Sequence, residues 1–84
     1  MERHDYAAYI SDLVILLREA AEKAKRQQRT EPENADFHAG RVMAYVEALS
    51  LMQSQADSFM IPREELRLDG FDPANDILAA GSQE

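Results

Sequence analysis

The chain has 84 residues, no cysteine, and nine basic against sixteen acidic side chains, for a formal charge of −7. Such a length supports one small hydrophobic core, and the lack of cysteine excludes disulfides and thiolate metal sites. An acidic chain is repelled by phosphate backbones and anionic membrane surfaces, which argues against nucleic acid and lipid as partners.

The opening residues, MERHDY, carry no apolar segment, so no signal peptide is expected. The longest apolar run, Leu13 to Leu17, is bracketed by Asp12 and Arg18. It falls far short of the roughly 20 residues that a membrane span needs. The expectation is a soluble protein of the cytoplasm.

A first helix is predicted from about residue 5 to 28. Tyr6, Ile10, Leu13, Leu17, Ala20 and Ala24 recur at alternating steps of four and three, which places them on one side of a helix. Asp5 and Asp12 come early, while Lys23, Lys25, Arg26 and Arg29 crowd the end, in keeping with the helix dipole. Glu19–Lys23 and Glu22–Arg26 pair with the acid first, the better orientation. The apolar residues 13–17 cover more than a full turn, so the middle of this helix must be covered on more than one side.

Pro32 disfavours helical geometry at Glu31, so the chain turns there. Thr30 with Glu33 matches a capping box, but that reading puts Glu31 in a helix directly before proline; Asn34 is the preferred N-cap. The second helix is then expected over about residues 35–60, closed by Pro62. Its stripe is His38, Val42, Tyr45, Leu49, Met52, Ala56 and Phe59. Between Phe37 and Phe59 only Arg41, Glu47 and Asp57 are charged, fewer than a helix with one solvated face usually carries. Phe37, Gly40, Ala44, Ala48 and Leu51 form a second small or apolar face. Glycine inside a helix costs roughly 1 kcal/mol, so a packing reason is expected for Gly40.

Residues 1–61 thus read as an antiparallel helical hairpin, and residues 62–84 as an acidic C-terminal arm. Pro62 to Leu66 suggests one helical turn, Asp69-Gly70 a bend, and Asp72-Pro73 the N-cap and first position of a short helix through Leu78. Leu66, Leu68, Phe71, Ile77 and Leu78 are the side chains expected to dock the arm, on its own hairpin or on a neighbour's. Residues 80–84 read as frayed.

Candidate chemistry is sparse. Asp69, Asp72 and Asp76 with Asn75 lack the ligand spacing of a calcium loop; a turn, a cap and a solvated carboxylate account for them. His4 and His38 are read as structural, His38 as a half-buried residue at a helix start. Ser11, Ser50, Ser54 and Ser58 lack a nucleophile elbow. Glu64-Glu65 sits in an exposed turn where no raised pKa is expected. No catalytic residue, metal ligand or cofactor is assigned. The basic cluster Arg18, Lys23, Lys25, Arg26 and Arg29 serves the end of the first helix, or contacts the acidic arm.

The stretch Gly40-Arg41-Val42-Met43-Ala44-Tyr45-Val46-Glu47-Ala48-Leu49-Ser50-Leu51-Met52-Gln53, followed by Leu68-Asp69-Gly70-Phe71-Asp72-Pro73, resembles small uncharacterised bacterial proteins of about this length. The resemblance covers the C-terminal half and implies a helical hairpin with a short tail. It implies no activity, cofactor or catalytic residue.

The expectation is therefore an all-α hairpin with a short helical arm, paired as a homodimeric four-helix bundle. The function expected is that of a non-enzymatic interaction protein, self-associating and open to a second protein partner. The self-association residues expected are Val14, Ile15, Gly40, Ala44, Ala48 and Leu51. Two alternatives stand: a regulator touching nucleic acid or a transcription component through the basic end of the first helix, and a metal-dependent hydrolase using His38 with carboxylates.

Overall fold

Every regular element of the computed structural model, which describes residues 3–79, is helical. Helix α1 (Arg3–Thr30) and helix α2 (Ala35–Ser58) form an antiparallel hairpin. Among the described residues no helix is long and apolar enough to cross a membrane. The reading of residues 80–84, and of the His4 side chain, falls outside what is described.

Helix α1 runs two residues further at each end than its apolar stripe predicts. At its C-terminus the Thr30 hydroxyl donates back to the Arg26 carbonyl at 3.1 Å, and the Glu31 N–H reaches the Gln27 carbonyl at 2.9 Å. Pro32 has no N–H to continue the ladder and ends it. Pro32–Asn34 then make one 3-10 turn, and α2 starts at Ala35. Asn34 occupies the N-cap position, but its side chain makes no capping hydrogen bond.

Helix α2 stops two residues short of the predicted boundary, and the terminator is not Pro62. Met60 takes left-handed backbone, φ 57°. Its N–H bonds the Asp57 carbonyl at 3.0 Å, and the Ile61 N–H reaches back to Ala56 at 2.8 Å. These two bonds are the Schellman closure, with its usual apolar contact between the flanking residues. Ile61 accordingly packs on the core that contains Ala56.

The same device recurs in the arm. After the 3-10 turn Arg63–Leu66, Arg67 is left-handed and the Leu68 N–H returns to the Arg63 carbonyl at 2.9 Å. The result aims Leu66 and Leu68 inward, where both are buried. Gly70, φ 76°, makes the next bend. The Asp72 carboxylate then caps the final turn, a wide π-wound segment at Ala74–Ala79, by accepting the Ala74 N–H at 3.1 Å. Asp76 is exposed, and its carboxylate also accepts the Asp72 N–H at 2.8 Å, as in a capping box.

The core draws on all three parts of the chain. Val14, Ala21 and Ala24 come from α1, and Val42, Val46, Leu49 and Ala56 from α2. Leu66, Leu68 and Ile77 come from the arm, with Phe71 and Leu78 packed at its edge. The arm therefore docks on its own hairpin. The molecule measures 46 × 23 × 16 Å. Its short dimension is less than two helix diameters of about 10–12 Å each, so the shape is a flat slab.

Candidate interaction face

Three side chains spaced seven apart on α1 hold the arm. The Ser11 hydroxyl donates to the Glu65 carbonyl at 3.0 Å. The Arg18 guanidinium lies 3.9 Å above the centre of the Phe71 ring. The Lys25 ammonium donates to the Ile77 and Leu78 carbonyls at 2.6 and 2.5 Å, closing the last turn. Residues seven apart share one side of a helix, so the arm runs along that side of α1, in the same direction. From α2, buried Gln53 donates its amide to the Leu68 and Phe71 carbonyls at 2.9 and 3.0 Å. One face of the slab is thereby covered.

The opposite face is located by a different bond. Arg41 of α2 donates to Gln27 of α1 at 2.6 Å, bridging the two helices. Stepping back from Gln27 by fours and threes gives Lys23, Ala20, Leu16, Leu13, Tyr9 and Tyr6. Stepping on from Arg41 gives Tyr45, Ala48, Met52, Gln55 and Phe59. Helical periodicity puts these two rows side by side on the face away from the arm. Tyr9 is 68 % exposed, Leu16 58 % and Phe59 69 %, with Tyr6 and Leu13 also open. Ala20, Tyr45, Ala48 and Met52, in the same rows, are half-buried. Toward one end the face continues into a groove of about 740 Å³ lined by Tyr6, Ile10, Phe59, Met60, Pro62 and Leu66.

The residues expected to mediate self-association are not gathered on this face. Val14 is wholly buried in the monomer's own core, which corrects that expectation, and Ile15 is half-buried. Gly40, Ala44 and Leu51 are exposed on the back of α2, opposite its buried row His38, Val42, Val46, Leu49, Gln53 and Ala56. Of the six, Ala48 alone lies on the open face. A methyl group added to Gly40 would meet nothing within 4 Å, so no packing within the chain explains that glycine. The open row was missed because Tyr6 and Leu13 were assigned to the core stripe. The spacing Tyr6, Tyr9, Leu13, Leu16 was the signal that could have found it.

His38 has both ring nitrogens committed. Arginine can only donate, so the Arg41 guanidinium 2.9 Å from Nδ1 makes that nitrogen an acceptor. The other ring nitrogen, Nε2, then donates to Glu31 at 3.1 Å. That hydrogen bond holds the Glu31 carboxyl below the usual carboxylate range. His38 itself is buried, not half-buried, with Phe37 edge-on at 5.4 Å. Among the described residues no three histidine, aspartate or glutamate side chains are grouped to hold a metal. The basic cluster is divided: Arg18 and Lys25 serve the arm, while Lys23 and Arg26 stand on exposed positions.

No protein-family model matches the chain, and neither a curated protein nor a solved structure matches it.

Proposed function

We propose that this protein is a non-enzymatic helical interaction module whose open face packs against a second helical surface, in the first place that of another copy. The observation that carries the reading is the asymmetry of the slab. The arm covers one face, while Tyr6, Tyr9, Leu13, Leu16 and Phe59 stand exposed together on the other. Contiguous apolar surface of this kind marks interaction sites on small proteins. Helical rows at alternating three and four spacing are the pattern by which bundles pack, and a pair of hairpins closes as four helices. A chain of 84 residues with a small core also gains stability by association.

Size exclusion coupled to light scattering, run over a range of concentrations, is the test. The wild type is expected at two subunits, and Leu16→Lys at one with its helix content intact, because residue 16 does not serve the monomer's core. A wild type that stays monomeric at high concentration overturns the reading.

A further inference from the structure

Resting on that reading of the open face, we propose that its occupant is a second copy reversed end for end, so that α1 lies antiparallel on α1 of its mate. The face is polar along its length in two respects. The end with Tyr6, Tyr9 and Phe59 is bulky, and Asp5 and Asp12 of α1 are exposed acidic residues at that end. Toward the other end the rows carry small Ala20 and Ala48 and a single half-buried aromatic, Tyr45, with Lys23, Arg26 and Arg41 around them.

Two slabs can meet on these faces by two kinds of two-fold axis. An axis along the helices stacks like ends, acid on acid and aromatic on aromatic. An axis across the helices places each acidic, bulky end over the basic, small end of its mate. Only the second is complementary in charge and in size. A two-fold contact is made twice, so each complementary pairing counts double and so would each clash. Glu19 and Glu22 offset part of the basic charge at the Ala20 end, which stays net positive with Lys23, Arg26 and Arg41. Both arrangements give a bundle with antiparallel neighbours, so charge and side-chain volume make the selection.

The dimer dissociation constant, measured by sedimentation at low salt, tests the arrangement. Asp12→Asn and Lys23→Gln are expected each to weaken the dimer, by about three- to tenfold for a pairing lost twice. Added salt is expected to weaken the wild type. The exchange Asp12→Lys with Lys23→Asp in one chain is expected to recover most of the affinity. If Asp12→Asn tightens the dimer, like ends face each other and the proposal falls, although self-association stands. A wild type monomeric at every concentration removes the self-association reading itself, and this arrangement with it.

Discussion

Met60 holds left-handed backbone with its side chain 88 % exposed, so the position carries a conformational cost and returns little packing. A residue with a Cβ pays roughly 1–2 kcal/mol for that conformation, and glycine pays none of it. Gly40 is the reverse case: it sits within α2, where a Cβ would meet open space. Met60→Gly and Gly40→Ala are both expected to stabilise the fold, each by about 1 kcal/mol, or several degrees in melting temperature for a domain of this size. Thermal denaturation followed by circular dichroism checks both. A fall in stability for Met60→Gly would show that the methionine side chain serves a contact. A fall for Gly40→Ala would show that another backbone approaches α2 there.

At the same scale, Leu68 shows what a short polar-looking arm contributes. It is wholly buried, aimed inward by left-handed Arg67 one residue earlier. Leu68→Ala is expected to cost about 2–5 kcal/mol, the range for a leucine removed from a packed interior. Small domains have a total stability of about 5–15 kcal/mol, so a urea titration resolves the loss easily. A change below about 1 kcal/mol would mean that the arm contributes little to the core.

At the scale of elements, a hydrogen bond and an ion pair close the two ends of α2. Glu31 meets His38 at the turn into the helix, and Asp57 meets Arg63 at 2.7 Å at the exit. The Arg63 hydrogen bond holds the Asp57 carboxyl below its usual range, as His38 does for Glu31. A carboxylate whose pKa is lowered by folding adds stability that is fully present above its unfolded value of about 4. That contribution is lost as pH falls through the lower folded value. Asp57→Asn is therefore expected to lower the denaturation midpoint at pH 7, and the gap to the wild type should close toward pH 2. An equal gap at both pH values would mean that the pair adds no pH-dependent stability. Both carboxylates are substantially exposed, so the neutral-pH gap should be small.

These elements were partly legible in the sequence, and the limits have physical causes. The hairpin and its turn at Pro32 follow from the stripe and the proline, and the start of α2 follows too. The phase of α1 did not, because residues 13–17 are apolar all round and allow neighbouring stripes. Ile10, Leu17 and Ala24 belong to the expected row and the observed one, but the core continues through Ala7, Val14 and Ala21. Tyr6, Leu13 and Ala20, given to the core, instead line the open face. On α2, Gln53 occupies an inward position that an apolar count assigns to Met52. Its role is to satisfy arm carbonyls brought there by tertiary structure. The left-handed closures at Met60 and Arg67 gave no glycine signal.

At the scale of the whole molecule, the arm decides whether the hairpin is a folded unit. Without it, the buried apolar side chains from the helices would be Val14, Val42, Val46, Leu49 and the alanines 21, 24 and 56. Three of those seven are alanine, which buries little surface and supplies little of the burial energy that offsets chain entropy. Removing the arm also strips Ser11, Arg18, Lys25 and Gln53 of their partners and opens the second face of the slab. A chain ending at Ile61 is therefore expected to lose its cooperative thermal transition and to keep only part of its helix signal, with more of its apolar surface in water. Calorimetry checks this directly: the full chain should show one heat-absorption peak for hairpin and arm together, and the shortened chain a broad, weak one. A sharp peak at an unchanged temperature in the shortened chain would mean that the two helices hold themselves together, and that the arm is an appendage instead of the third side of the core.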